Sequence, residues 1–343
     1  MDFTVIRKLS TCLCATMLAG VAALSTSCNS VIYDDEPICE QGLAIRFVYD
    51  YNMENANAFP SQVHCLTVFI YDADGHYVTT LTETDHSKLS DENWRMNIDL
   101  PEGSYQVVAY GGMACPDASF SFENATGNLT DRRVELDADL LTSPVGPNLH
   151  PLFYGEADVV SSVGYFDNAY VPVTVYMMKD TNNIRILLHN ADGSPVSSDD
   201  FTFRITDDNT LFNYDNNLLP APVVTYWPWT QGNIGGLSSD DDVIGTVPSF
   251  VYAELSTSRL VISSSARLVI EQQSSGRVVL SIPLVKYLLL YKSDNYGMMG
   301  NQEFLDRKSE WELSLFLDSV AGGWGTVTIW IDDWSVRINN IEA

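Results

Sequence analysis

Residues 65–83, CLTVFIYDADGHYVTTLTE, say most about what this chain can fold into. Leu66, Val68 and Ile70 alternate on one face, Asp72-Ala73-Asp74-Gly75 supplies a tight turn, and a second strand runs from His76 to Leu81. Apolar residues at every second position fit a strand with one buried face, and two such runs across an Asp/Gly turn make a hairpin. The pattern recurs. LAIRFVYDYN (43–52) is β-rich, and WRMNIDLPEGSYQVVAYGG (94–112) reads as strand, Pro101-Glu102-Gly103 turn, strand, then paired glycines. RVEL (133–136) and LFYGEADVV (152–160) bring the total to about seven strands, at the turn spacing of an all-β sandwich. Only 86–93 and 136–142 have helical character, and both are short.

A loop, SSVGYFDN (161–168), precedes a second β-rich half. YVPVTVYMMKDTNNIRILLHN (170–190) is again strand, turn, strand, and FTFRITDDNTLFNYDN (201–216) echoes the first hairpin with Asp207-Asp208-Asn209 at its turn. RLVIEQQSSGRVVLSIPLV (267–285) is a hairpin turning at Ser274-Ser275-Gly276. In 303–319 the alternation of Trp311, Leu313, Leu315 and Leu317 marks a half-buried strand, and the Ser/Gly/Asp-rich 231–246 reads as an exposed loop. Six of the seven tryptophans lie beyond residue 220, so the two cores are built differently. The expected fold is all-β, two tandem β-sandwich domains. The expected limits are a signal peptide at 1–27, a tether at 28–42, an N-terminal sandwich at 43–164 and a C-terminal sandwich at 165–343.

The N-terminus reads as an export signal. Arg7 and Lys8 precede about fifteen apolar and small residues that close on Leu24-Ser25-Thr26-Ser27-Cys28. The run is short of the roughly 20 residues that span a bilayer. Cys28 at the new N-terminus is the candidate lipidation site, its thiol taking a diacylglycerol; the alternative is an ordinary cut near Ser27. The usual lipobox has a large aliphatic residue three before the cysteine, where this chain has Ser25, with Leu24 one step further out.

Hydrophobic residues make up 45% of the chain, ample for packed cores. With 45 acidic against 18 basic residues the formal charge is −27, which repels nucleic-acid phosphate and anionic headgroups. Beyond the signal and Cys28 the cysteines are Cys39, Cys65 and Cys115, an odd number from which one disulfide can form in any of its pairings.

Little in the sequence points to chemistry. His64, His76, His86, His150 and His189 fall in or beside different elements, and no CxxC, Cys/His cluster, HExxH, GxSxG or phosphate loop occurs. Tyr110-Gly111-Gly112 lacks a P-loop lysine and serine and reads as a strand exit. Asp72-Ala73-Asp74-Gly75 resembles the start of a calcium loop, with Glu83 at the offset of the late bidentate ligand. A plain hairpin turn is preferred, because 76–81 is itself a strand. Asp240-Asp241-Asp242 reads as a solvated loop tip. Tyr226, Trp227, Trp229 and Trp324 form either a sugar-stacking face or core and edge packing. The chain is expected to be no enzyme and to need no cofactor or metal.

One resemblance covers nearly the whole mature chain. The run CEQGLAIRFVYDYNMENANAFPSQVHCLTVFIYDADGHYVTTLTE (39–83) resembles the FimB-like anchor lipoproteins of Bacteroides-type (type V) fimbriae, related to the major fimbrillins. LPEGSYQVVAYGG (100–112), LFYGE (152–156), VTVYMMKDTNNIRILL (173–188) and IWIDDWSVRIN (329–339) match further. The resemblance implies two sandwiches of transthyretin-like or immunoglobulin-like topology, in an accessory subunit that holds a fimbrium to the outer membrane and helps set its length. It also implies acylation at Cys28, partners among shaft pilins or other accessory subunits, a position at the fimbrium base facing the cell exterior, and no catalytic residues.

Shaft subunits of such fimbriae are cut after an arginine, lose a first strand, and take a neighbour's terminal strand into the groove. Here 29–45 contains no Lys or Arg, and Arg46 lies inside an expected strand. The chain is therefore expected to keep its first strand and its lipid and to cap growth at the base. At the other end, Val327, Ile329 and Ile331 share one parity, while Trp334, Val336 and Ile338 beyond Asp332-Asp333 fall on the other. A bulge, bend or break is expected between them. These six residues are the candidate polymer contact, either donated to a shaft subunit or kept as the last strand of the second domain. The rival function is a surface lipoprotein adhesin that binds glycan or host protein through the late tryptophans.

Overall fold

A computed structural model describes residues 41–162, 169–235, 250–292, 296–320, 323–331 and 334–338. The signal peptide, Cys28, Cys39 and the tether as far as residue 40 lie outside the described residues, and Gln41 and Gly42, expected in the tether, belong to the first strand.

The first sandwich folds one continuous sheet over on itself. Its order is β3 (Tyr77–Glu83), β2 (Leu66–Asp72), β5 (Gly103–Gly111), β8 (Phe153–Ser161), β9 (Ala169–Lys179), β1 (Gln41–Val48) and β4 (Met96–Asp99). β8 and β9 pair only from Phe153↔Lys179 to Gly155↔Met177, and the sheet folds at this short seam. Leu43, Ile45 and Phe47 of β1, Ile98 of β4 and Val175 of β9 then share one core with Leu66, Val68 and Ile70 of β2 and Val107 of β5. Phe59 and Leu89 join it from the short helices Phe59–Gln62 and His86–Leu89. Burying such side chains contributes about 1.5–3 kcal/mol each.

The second sandwich pairs a six-stranded and a four-stranded sheet. The larger runs β15 (Thr230–Ile234), β16 (Phe250–Ser258), β10 (Thr181–Asn190), β19 (Glu310–Val320), β20 (Gly323–Ile331) and β21 (Trp334–Ile338), with β10 and β19 parallel. The smaller runs β14 (Val224–Tyr226), β11 (Phe201–Asp207), β17 (Arg267–Gln272) and β18 (Arg277–Pro283). Ile184, Ile186, Leu188, Leu313, Leu315 and Leu317 pack in one core with Phe203, Ile205, Leu268 and Ile270.

A third small sheet joins the two. β6 (Phe120–Glu123) and β7 (Arg133–Leu136) from the first half continue into β12 (Leu211–Phe212) and β13 (Leu218–Leu219) from the second. Phe120, Val134, Leu136 and Phe212 share a core cluster with Phe69, Tyr71, Val108 and Tyr110. β2 and β5 are thus buried on both faces, where the alternation of Leu66, Val68 and Ile70 had marked only one. Arg132 is fully buried here, its guanidinium 5.0–5.2 Å from the ring centroids of Phe69, Tyr71 and Tyr110. Its Nη1 donates to the Tyr71 hydroxyl. A desolvated cation on aromatic faces gains about 2 kcal/mol or more per contact, which offsets part of the cost of burying it.

The expected all-β sandwich architecture holds, and the hairpins at β2–β3 and β17–β18 form as read. Three other turns do not join paired strands. β4 pairs with β1 whereas β5 pairs with β2 and β8. β9 stays in the first sheet while β10 enters the second, so the chain crosses at Asp180, later than residue 164. After β11, β12 leaves for the joining sheet because Asp207 and Asn209, at the expected turn, are buried and held by Ser264 and Arg259. Residues 231–234 of the expected loop belong to the strand β15, and a helix at Asn301–Arg307 precedes β19.

Candidate functional site

The family resemblance directs attention to both ends of the chain and to what fixes them. β1 lies inside its sheet. It pairs in parallel with β9 from Gln41↔Ala169 to Val48↔Tyr176, and antiparallel with β4 from Gly42↔Asp99 to Ile45↔Met96. Leu43 and Ile45 are 0% exposed, so removing this strand would uncover apolar surface on both sides of the core. Position 42 needs glycine, because a Cβ there would sit 1.8 Å from the Ile98 carbonyl oxygen. Arg46 is paired opposite Thr174, in the middle of this ladder.

The other end completes the six-stranded sheet. Val327 and Ile329 are buried at 1% and 0% exposure on β20, which lies between β19 and β21. β21 antiparallel to β20 sets Val327 opposite Ile338, Ile329 opposite Val336 and Ile331 opposite Trp334. The six candidate contact residues are therefore brought together in two paired strands. The parity change read from the sequence reflects a chain that reverses, not a bulge in one continuous strand. β21 ends the sheet among the described residues.

A polar network ties the halves where the chain crosses between them. Arg259 Nε and Nη2 donate to the two carboxylate oxygens of Asp306 at 2.9 and 3.0 Å, and Nη1 donates to the Asn216 carbonyl at 2.8 Å. Asp180 is fully buried 3.9 Å from the same guanidinium and accepts from Asn216 Nδ2 at 3.0 Å. Burial pushes its carboxyl up to about 7, with Arg259 and Asn216 pulling the other way. Next along the helix, Arg307 lies over the Tyr51 ring at 4.1 Å and donates to Asn55 Oδ1 at 3.1 Å. One helix thus contacts the second half through Asp306 and the first through Arg307.

The remaining candidates resolve as follows. Asp72 Oδ1 accepts from the backbone N–H of Asp74 and His76 at 2.9 Å each, as a turn residue does. The His76 backbone bond holds its carboxyl below the usual range. Glu83 is engaged at the far end of β3, accepting from Lys88 Nζ at 2.8 Å. Tyr226 is 1% exposed and donates to Asn209 Oδ1 at 2.6 Å, so it is a core residue. Trp227 and Trp229 are half-buried, and the side chain of Trp324 lies outside the described residues. Tyr110-Gly111-Gly112 is a strand exit, with Gly112 N–H donating to the Cys65 carbonyl at 3.1 Å.

Of the three pairings left open, the structure forms Cys65–Cys115. Two groupings have no signal in local sequence. His64 and His86 meet ring to ring at 4.8 Å, and His150 lies against the disulfide with its Nδ1 3.2 Å from Asp117 Oδ1. Among the described residues no helix is long and apolar enough to cross a membrane.

Comparison with known proteins gives consistent matches. The model of the fimbrillin-A associated anchor proteins Mfa1 and Mfa2 matches residues 34–340. The minor fimbrium anchoring subunit Mfa2 of Porphyromonas gingivalis is 22% identical over 323 residues, covering 92% of this chain and 91% of that one. The structure of that organism's fimbrial anchor protein Mfa2 superposes with a TM-score of 0.62 at 16% identity, over 87% of this chain and 99% of that one. A solved structure from Bacteroides thetaiotaomicron, described as a candidate adhesin, is 46% identical with a TM-score of 0.80, covering 89% of this chain and 100% of that one.

Proposed function

The chain belongs to the fimbrillin-A associated anchor protein family, and from that membership we propose that it ties a type V fimbrium to the outer membrane and ends its growth there. A diacylglycerol on Cys28 is the anchor, and residues 29–40 are the tether. The fimbrial partner is a shaft pilin or another accessory subunit. The role is mechanical, in keeping with relatives described as anchor proteins and a candidate adhesin.

The seating of β1 carries this reading. A subunit that polymerises by strand exchange gives up its first strand to open a groove. Here β1 is paired on both sides, 29–45 offers no basic residue to a trypsin-like protease, and Arg46 lies inside the ladder. A chain that keeps its own strand offers no groove to a further subunit and stays joined to its lipid.

Contact with the pilin is assigned to β21. An edge strand presents a row of backbone donors and acceptors that an extended segment can pair with, and alternate side chains supply specificity. Cys28→Ala tests the anchor. Loss of the protein from the membrane fraction, with fimbriae shed into the medium, is expected; a variant still membrane-bound would remove the basis of the proposal.

A second reading has two observations in its favour. The 46%-identical structure is described as a candidate adhesin, and Trp227 and Trp229 stay partly exposed. A glycan-array signal lost in the double alanine variant of these tryptophans would favour an adhesin.

A further inference from the structure

We propose that, once the Cys65–Cys115 bond is reduced, the two thiolates and the His150 imidazole form a zinc site that closes the same loop. The ligand atoms of Cys65, Cys115 and His150 all lie within 4.8 Å of one another. In a tetrahedral zinc site, bonds of about 2.3 Å to sulfur and 2.0–2.1 Å to nitrogen put neighbouring ligands roughly 3.3–3.8 Å apart. Rotation of the freed side chains covers the difference.

The histidine is held for the task. Its backbone N–H donates to Ser119 Oγ at 2.8 Å, and Ser119 is 3% exposed. Gly112 lets it approach: a Cβ there would meet His150 Cδ2 at 3.3 Å and the Pro151 carbonyl oxygen at 1.9 Å. Asp117 Oδ1 lies 3.2 Å from His150 Nδ1. A carboxylate on one imidazole nitrogen keeps the proton there and leaves the other nitrogen as a metal ligand, the usual outer support of a zinc-bound histidine. Cys65 is buried, whereas Cys115 and His150 are part-exposed, so the metal enters from the loop side and water supplies a fourth ligand.

The chemistry balances with an external reductant. An external dithiol donates two electrons and two protons to the disulfide and becomes a disulfide itself; a phosphine donates the two electrons and leaves as its oxide, with water supplying that oxygen and both thiol protons. Zinc then displaces both thiol protons and binds neutral imidazole. The covalent and the coordinated forms do the same work, holding residues 112–118 against the start of β2 across a sequence separation of 50. An exported chain would then keep that staple in oxidising and reducing surroundings alike.

The test uses the full mature chain, reduced anaerobically with a phosphine and titrated with Co²⁺. One equivalent should bind with thiolate-to-cobalt charge transfer and tetrahedral d–d bands, and Zn²⁺ should displace it. His150→Ala should weaken binding by about 10-fold or more, and Asp117→Asn by about 10-fold. Thermal unfolding of the reduced chain should rise with Zn²⁺ and fall back with a chelator. Cobalt bound without thiolate bands, unchanged affinity in His150→Ala, or an unfolding midpoint indifferent to Zn²⁺ would each overturn the proposal.

Discussion

Asp306 grips Arg259 with both carboxylate oxygens, at 2.9 and 3.0 Å, and the pair is almost wholly buried where the two halves meet. Geometry of this kind makes the junction stiff, because breaking it leaves a charge stranded away from water. A stiff junction suits the proposed role, in which the chain would carry tension between a membrane and a polymer. Asp306→Ala is expected to cost about 3–5 kcal/mol, the usual penalty for removing one partner of a buried pair. Urea unfolding measures it, and a loss under 1 kcal/mol would mean the pair is spectator to the fold.

Asp180 has a different effect on the same junction. Its folded carboxyl titrates at about 7, above the ordinary value near 4 that it regains on unfolding. Between those values the native state holds more protons than the unfolded one, so stability falls as pH rises from about 4 to about 7 and is level beyond. Asp180→Asn should remove that slope. The variant is expected to be the more stable at pH 8, by on the order of a few kcal/mol, with the gap closing toward pH 4. Parallel melting curves of the two proteins at pH 8 and pH 5 measure the difference.

β1 supports its sheet through close packing. Ile45→Ala should cost about 2–5 kcal/mol, because the side chain is 0% exposed between two sheet faces. Gly42→Val should do comparable damage, since its Cβ collides with the Ile98 carbonyl and prises β4 away. Hydrogen exchange should then quicken first in 96–99, whose ladder runs on β1.

Deleting residues 333–343 should uncouple attachment from folding. Among the described residues β21 pairs only with β20, while Val327 and Ile329 stay packed in the core. Fimbriae should detach while the remainder still melts cooperatively. Global unfolding of the truncated chain would instead make β21 a structural strand and nothing more.

How far the sequence could be read depended on distance along it. β2–β3 and β17–β18 were legible because both strands and their turn are local, and β19 because Trp311, Leu313, Leu315 and Leu317 alternate without interruption. Alternation says that a residue faces inward, not which strand lies beside it. The runs at 94–112, 170–190 and 201–216 therefore looked like hairpins, although their strands go to different partners or different sheets. The joining sheet was invisible for the same reason, since β7 and β12 are two short runs from opposite halves. Arg259 and Asp306, and likewise Cys65, Cys115 and His150, come from separate elements, and no periodicity links them. At the far end, the change of parity between Ile331 and Trp334 was visible, but the reversal behind it needed the pairing of β20 with β21.

The claim that this subunit keeps its first strand and its lipid comes to one peptide. Protein recovered with fimbriae from intact cells, digested and measured by mass spectrometry, should yield an N-terminal fragment that starts at a diacylated Cys28 and continues unbroken into 41–48. A mature chain beginning at Phe47, cut after Arg46, would show that β1 is released and would contradict the account.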